Sequence, residues 1–282
     1  MSMRFSTNVS LLVVLICVIL CSACAPRLAS APLVVDPPSA PTAILTSTPP
    51  ATPVAELSTP VDPTVTPRVE ICQTSLVKAI PVYDENGLLK SFDTSDDFVV
   101  LTIDDGYNDE VLNQMLDILE ENDARATFFL VGTSLSEKIH KETFQRLVDN
   151  GHDIGYHSHT HPQVSVIDGM SLEDWLRDYQ DWSEALRAVI GDDRYERGVT
   201  PYVRAPWGRW TPEFMQATNE QGFFPVYWSA DEHTFEPKRM PLKPGSILIL
   251  HIIPENLDEL RQLMDTNWQI ISLREALGET CK

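Results

Sequence analysis

The stretch Phe98-Val-Val-Leu-Thr-Ile-Asp-Asp-Gly106 is an apolar, β-branched run that ends abruptly in two adjacent carboxylates. Such a run, closed by a turn residue, is typical of a strand buried on both faces. Further short apolar runs predict strands at 126–131, 152–157, 200–204, 223–228, 246–251 and 268–271. Strands that alternate with helices favour a parallel α/β architecture, so we predict a distorted or incomplete (β/α) barrel with about seven parallel strands.

Helices are predicted between these strands, where apolar residues recur every three or four positions. The longest, 171–190, begins at Ser171, a favoured N-cap residue, and has an acidic first turn. The others are expected at 109–122, 136–150, 211–221 and 255–266. Gly151 is expected to end the helix at 136–150, because glycine readily adopts the left-handed conformation found at helix ends.

Two histidines four residues apart lie in the segment Gly151-His-Asp-Ile-Gly-Tyr-His-Ser-His-Thr-His-Pro162. His157, His161 and one carboxylate of the Asp104-Asp105 pair form a common three-ligand set for a catalytic zinc-type ion, with one position left for water. The second carboxylate could then act as a base on that water. Barrel folds gather active-site residues at the carboxyl ends of their strands. The predicted strands end at or next to Asp104, His157, Arg204 and His251. The sequence therefore predicts one metal-dependent hydrolytic site.

Four motifs resemble those of the polysaccharide deacetylases of carbohydrate esterase family 4, the group that shares the NodB-homology domain. They are Thr102-Ile-Asp-Asp-Gly106, the segment 151–162, Arg204-Ala-Pro-Trp-Gly208 and Leu248-Ile-Leu-His251. The strand Ala126-Thr-Phe-Phe129 is also typical of the family. The motifs follow the family's order and span most of the predicted domain.

The resemblance implies a metal centre. Asp105, His157 and His161 would hold one divalent ion, expected to be zinc, with cobalt, nickel or manganese as alternatives. These ions bind imidazole and carboxylate ligands, which agrees with the residue types present.

The resemblance also implies catalytic and substrate-binding roles. Asp104 would be the general base, kept ionised and oriented by Arg204, because a guanidinium donates in a fixed fork. His251 would be the general acid that protonates the departing nitrogen. The residues expected to contact substrate are Pro206, Trp207, Trp228, Asp231 and Phe235.

The resemblance weakens at the fourth motif, where the family has Asp-x-x-Asp-Trp. Asp231 is kept, but Thr234 and Phe235 stand where the second Asp and the Trp are expected. In the family the second Asp helps to set the protonation of the catalytic histidine, so its absence leaves the behaviour of His251 open. Asp231 or Glu232 could compensate, and Phe235 would preserve an aromatic wall.

The leading functional hypothesis is an enzyme that removes N-acetyl groups from amino-sugar polymers. Peptidoglycan, a chitin-like glycan or an exopolysaccharide would be the N-acetylated substrate. Two alternatives stay open: an O-acetyl xylan esterase of the same fold, and a poorly active glycan-binding protein on the same scaffold. A net charge of −20 without a basic patch argues against nucleic acid as a partner. We expect a monomer.

The first 70 residues differ in composition from the rest. Residues 11–20 are an unbroken apolar run, too short to span a bilayer and typical of a signal-peptide core. Ser22-Ala-Cys24 resembles the lipobox of bacterial lipoproteins, so we predict a lipoprotein signal peptide over 1–23 and lipidation of Cys24; simple cleavage or an uncleaved anchor are the alternatives. Residues 24–70 are rich in proline and threonine and predict a disordered stalk.

Residues 71–282 are then the catalytic domain. Its two cysteines, Cys72 and Cys281, lie near its two ends. A disulfide between them is expected in an oxidising exterior, with two unpaired thiols as the alternative. The protein is expected outside the cytoplasm, tethered to the membrane through its lipid anchor or secreted.

Overall fold

The computed structural model describes residues 78–137, 141–232 and 242–278. The strands in these ranges are β1 Ile80–Tyr83, β2 Leu89–Asp93, β3 Phe98–Asp105, β4 Thr127–Leu130, β5 Asp153–Tyr156, β6 Val199–Val203, β7 Phe224–Pro225, β8 Ser246–His251 and β9 Gln269–Ile271. The helices are α1 Asp109–Glu121, α2 Ser134–Glu137, α3 Lys141–Asp149, α4 Val164–Ile167, α5 Leu172–Ile190, α6 Asp192–Gly198, α7 Pro212–Glu220, α8 Glu255–Met264 and α9 Leu273–Leu277, with a short 3₁₀ turn at Pro206–Gly208.

The strands form one mixed sheet in the order β1-β2-β8-β3-β4-β5-β6-β7, and β9 pairs with β3. All pairings among β3 to β9 are parallel, whereas β1–β2 and β2–β8 are antiparallel. Single bridges at Leu89–Val226 and Ala230–Leu248 join the segment after β7 to β2 and β8. The sheet therefore curls until its two sides meet. The predicted distorted barrel of seven parallel strands is confirmed.

Strand β3 divides the apolar interior into two cores. Because successive side chains point to opposite faces of a strand, Val99 and Leu101 join the core shared with the helices, and Phe98 and Val100 join the core inside the curled sheet. All four are fully buried. Burial on both faces is why this segment reads as a continuous apolar run rather than as an alternating one.

Helix α5 follows its predicted bounds closely. The hydroxyl of Ser171 accepts the N–H of Asp174 at 3.2 Å, and the Asp174 carboxylate accepts the N–H of Ser171 at 2.9 Å, which makes a capping box. Trp175 and Trp182 are buried on its inner face. The indole N–H of Trp182 donates to the carbonyl of Leu130 at 2.7 Å, so α5 is tied to the end of β4.

Other elements differ from prediction. Helix α2 begins at Ser134, two residues before the predicted start of the helix at 136, and α3 ends at Asp149. Strand β7 is only two residues long, although the next residue continues the pairing, because the N–H of Val226 donates to the carbonyl of Val203. Strands β1 and β2 and helices α6 and α9 were not predicted, although Ser272 and Glu275 form a capping box whose Ser-x-x-Glu pattern is visible in the sequence.

Several predictions fall on residues outside the described ranges. These are the signal peptide, the stalk, lipidation of Cys24, the Cys72–Cys281 disulfide and the substrate contact of Phe235. They stay predictions. Of the helices in the described ranges, none combines the length and apolar character that crossing a bilayer requires.

A buried carboxylate lies at the start of β5. Asp153 is only 3% exposed, and its Oδ1 lies 3.0 Å from Nε of Arg274, in the first turn of α9. Burial raises the pKa of Asp153 to about 6, although the charge of Arg274 opposes the rise. The folded protein therefore binds the Asp153 proton more tightly than the unfolded chain does.

Asp153 should make stability depend on pH. Its stabilising contribution is complete below its ordinary pKa of 3.8 and is lost as the pH rises through about 6. The variant Asp153→Asn mimics the protonated acid at every pH. The free energy of unfolding of the wild type, measured relative to that of this variant, should fall by about 2–3 kcal/mol between pH 4 and 7. Urea unfolding of both proteins measures this difference, in which the contributions of other groups cancel. A difference that is flat across this interval would contradict the assignment.

Candidate active site

A cavity of about 350 Å³ opens at the carboxyl ends of the parallel strands. Its walls consist of Asp104, Asp105, His157, His161, Ala205, Trp207, Gly208, Trp228, Asp231, Glu232, Ile249 and His251. The structure therefore brings most of the sequence-predicted site residues together. Arg204 and Pro206 are buried behind this surface and do not line the cavity.

Three potential metal ligands converge on one side of the cavity. The donor atoms of Asp105, His157 and His161 all lie within 4.8 Å of one another. Oδ1 of Asp105 is 3.8 Å from Nε2 of His157 and 3.7 Å from Nε2 of His161. Donors at normal zinc distances in a tetrahedral site are about 3.3 Å apart, so these two separations would need to shorten by only a few tenths of an ångström. The donor set and its spacing fit a small divalent ion.

The environment of His157 prepares it as a ligand. Its Nδ1 lies 2.9 Å from the carbonyl oxygen of Arg204, which can only accept, so the proton belongs on Nδ1 and the lone pair of Nε2 faces the cavity. Burial lowers the pKa of His157 to about 3, which keeps the imidazole neutral near pH 7. A neutral imidazole with a directed lone pair is the form that binds a metal.

The backbone is strained around the cavity. Asp105, Ser158, His161 and Trp207 have positive φ angles of 82°, 62°, 47° and 58°. Non-glycine residues rarely adopt this conformation, and such strain concentrates at functional sites. Asp105, His161 and Trp207 line the cavity, and Ser158 directly follows His157, which also lines it. The conformation aims the Asp105 and His161 side chains where regular strand geometry would not.

Asp178 on α5 supports the loop that carries the two histidines. Its buried carboxylate accepts the hydroxyl of Tyr156 and the backbone N–H of His159. Asp178 was not predicted as a site residue. The sequence does contain a sign of this role, because Asp178 interrupts the apolar helix face formed by Trp175 and Trp182. A buried acid on such a face requires hydrogen-bond donors.

A fully buried ion pair holds the second aspartate. Nη1 of Arg204 lies 2.7 Å from Oδ1 of Asp104 and 2.8 Å from the hydroxyl of Thr102, while Nη2 donates to the carbonyl of Tyr227 at 3.0 Å. Oδ2 of Asp104 is 3.6 Å from Nε2 of His157. Burial raises the pKa of Asp104, and the charge of Arg204 opposes this rise. One carboxylate oxygen is thus anchored while the other faces the metal-ligand cluster.

His251 stands at the end of β8, in register with Asp104 on β3. Its backbone N–H donates to Oδ1 of Asn256 at 2.6 Å, and its Nδ1 lies 3.8 Å from Oε2 of Glu232. The sequence left Asp231 and Glu232 as candidates to compensate for the altered fourth motif. The geometry brings the Glu232 carboxylate next to the imidazole.

Two tryptophans form the rim and wall of the cavity. Trp207 is 56% exposed, its ring centroid is 4.8 Å from that of His161, and its indole N–H donates to the carbonyl of Pro162 at 2.9 Å. Trp228 stacks on Tyr227 with centroids 3.9 Å apart. Flat, partly exposed rings beside a polar cavity suit the apolar faces of sugars or an acetyl methyl group.

Comparison with known proteins agrees with this geometry. The family described as polysaccharide deacetylase matches residues 92–226. The chain is 30% identical over 162 residues to a chitooligosaccharide deacetylase of Azorhizobium caulinodans, covering 54% of this chain and 72% of the relative. It is 24% identical over 186 residues to a peptidoglycan-N-acetylmuramic acid deacetylase of Bacillus subtilis, covering 60% of this chain and 67% of the relative.

A solved structure has a similar fold and a similar sequence. It is a family 4 carbohydrate esterase from Bacillus anthracis, with a TM-score of 0.55 and 30% identity over 68% of this chain and 87% of that one. The family match spans the positions of both aspartates, of His157 and His161 and of Arg204, and stops before Glu232 and His251. The sequence match and the fold together show that this chain belongs to the polysaccharide deacetylase family.

Proposed function

We propose that this protein is a metal-dependent hydrolase that removes N-acetyl groups from amino-sugar polymers. One observation carries the proposal: a cluster of two imidazoles and a carboxylate shares a cavity with a buried carboxylate on one side and a half-buried histidine on the other. A glycan-binding protein has no need for a base and an acid in one cavity. Similarity to a chitooligosaccharide deacetylase and to a peptidoglycan deacetylase supports the substrate class.

The metal would be held by Asp105, His157 and His161, and zinc is the ion that we propose, with cobalt, nickel or manganese able to replace it. When bound, such an ion lowers the pKa of water and polarises a carbonyl oxygen. The chain itself must supply proton transfer, orientation of the substrate and exclusion of water.

Asp104 is the proposed general base. Arg204 holds its Oδ1, so Oδ2 is free to accept a proton from the attacking water. The water oxygen bonds to the acetyl carbon, and the carbon–nitrogen bond then breaks. Because an amide anion is a very poor leaving group, His251 must donate a proton to the nitrogen as it departs. The products are acetate and a free amine on the sugar.

The enzyme assignment is tested by product release. The full-length protein loaded with zinc should release free amine from N-acetylglucosamine oligomers or peptidoglycan. Asp104→Asn should lower kcat/KM about 10²–10⁴-fold, because a general base contributes on that order, without loss of bound metal. The matched control is Asp258→Asn, whose carboxylate is 85% exposed.

Other products would change the assignment. Acetate from acetylated xylan without amine release from any glycan would indicate an O-acetyl esterase. No product from any substrate, with one metal bound per chain, would contradict catalysis and favour the glycan-binding hypothesis.

The metal centre is tested by calorimetry after treatment with a chelator. We expect one zinc per chain, with affinity that falls as the pH is lowered, because ligand protonation competes with the metal. His161→Ala should weaken binding by at least about 10²-fold, since losing even a supporting residue costs 10–100-fold. His152→Asn is the control: His152 is buried away from the cavity, and Asn can still accept the Ala126 N–H that now bonds to Nδ1 at 3.2 Å. Equal affinity for wild type and His161→Ala would refute the ligand assignment.

Glu232 is proposed to support His251. Its carboxylate lies 3.8 Å from Nδ1 of His251, where it can orient the imidazole for donation to the departing nitrogen. Glu232→Gln should therefore lower kcat on N-acetyl substrates about tenfold and have a smaller effect on an O-acetyl ester, whose leaving group needs less protonation. Glu121→Gln, on the exposed end of α1, is the matched control. Equal losses on amide and ester would show that Glu232 acts by another route.

A further inference from the structure

A second cleft of about 570 Å³ lies beside the catalytic cavity. It is built from the β1–β2 turn, from β2, from the loop after the 3₁₀ turn and from the first turn of α7. Its lining includes Asp84, Asn86, Lys90, Arg209, Trp210 and Tyr227. The four sequence motifs did not predict this cleft, because the β1–β2 turn and β2, which form one side of it, precede all four motifs in the chain.

The two cavities meet at Gly208, which lines both. Gly208 has a φ of 62°, and a Cβ there would approach Trp228 to 3.0 Å and Tyr227 to 3.3 Å. A larger residue would therefore press on the stacked rings and narrow the junction. Tyr227 lines the second cleft, and Trp228 lines the catalytic cavity, so their stack forms a continuous wall past the junction. A polymer with one sugar in the catalytic cavity can extend along this wall.

Among the charged groups of the second cleft, Asp84 and Arg209 have polar partners, whereas Lys90 has no acidic partner among the described residues. The carboxylate of Asp84 accepts the N–H groups of Asn86 and Leu88 at 2.9 and 3.0 Å, and Arg209 pairs with Asp168 at 2.8 Å. Lys90 lies with its amine 5.1 Å from the centroid of Tyr227, a cation–π contact that positions it. Within the described ranges, no carboxylate lies within 4.0 Å of that amine. Lys90 is thus the cation of this cleft whose charge is left for a ligand.

We propose that the second cleft binds the neighbouring sugar of the polymer and that Lys90 recognises a carboxylate on it. The substrate class is then an amino-sugar polymer whose sugars carry acid groups, rather than a neutral one. This inference rests on the proposed deacetylase function and narrows its substrate. In a chain with net charge −20, a single positioned cation offers selectivity for an anion that the rest of the surface repels.

The test compares two tetrasaccharides of equal length, one of N-acetylglucosamine only and one of peptide-free peptidoglycan, which carries carboxylates. With the full-length, zinc-loaded protein, Lys90→Gln should lower the ratio of kcat/KM for the acidic over the neutral tetramer about tenfold, mainly through KM. Lys90→Arg should keep most of the preference. Lys78→Gln, which removes an exposed lysine just before β1, should leave the ratio unchanged. Raising the salt concentration should erode the wild-type preference more than that of Lys90→Gln.

Two results would overturn the proposal: equal loss on both tetramers, or no change in either. Calorimetric binding of the same tetramers to wild type and Lys90→Gln gives the answer even without turnover. Wild-type protein that releases no amine from any glycan refutes the proposed function. If the wild-type protein is active and Lys90→Gln does not change the ratio of kcat/KM for the two tetramers, only the proposed acidic subsite is refuted.

Discussion

The buried pair of Arg204 and Asp104 is the interaction on which the site depends. Both side chains are almost completely removed from water, and a buried charge is costly unless it is paired and hydrogen-bonded. Arg204 meets this requirement by contacting Asp104 and Thr102 on β3 and the carbonyl of Tyr227 in the segment that closes the sheet. The backbone carbonyl of Arg204 accepts a hydrogen bond from Nδ1 of the His157 imidazole. Arg204 therefore orients Asp104, His157 and the segment that closes the sheet together.

A rigid framework surrounds a locally strained site. The parallel strands are regular and apolar, whereas Asp105, His161 and Trp207 leave them in left-handed conformations. Such conformations persist only where other contacts hold them. Asp178 holds the histidine loop from α5, and the indole of Trp207 holds the carbonyl after His161. Contacts from α5 and from Trp207 thus keep the loop that carries His157 and His161 in place.

Asp104 and His251, the proposed base and acid, lie on neighbouring strands in different surroundings. Asp104 is buried and paired with a cation, and His251 is half exposed and beside an anion. The shared register of β3 and β8 sets their separation, because Asp104 and His251 are direct partners across the ladder. The altered fourth motif does not leave His251 isolated, since Glu232 approaches it from the loop. The second cleft, which meets this cavity at Gly208, adds Lys90, where we propose that the polymer continues.

Much of the architecture was predictable from local pattern. The seven parallel strands, the capped helix α5 and the strand-end positions of Asp104, His157 and His251 follow from apolar periodicity and capping chemistry, which act over a few residues. The strands β1 and β2 escaped prediction because β1 is mostly exposed and has no alternating pattern. What only the tertiary structure decided are contacts between segments far apart in the chain: Asp178 under the histidine loop, Glu232 beside His251, and the cleft that β2 shares with Gly208. Local sequence determines which residues can form an element, but these contacts depend on how the curled sheet and its loops bring distant elements together.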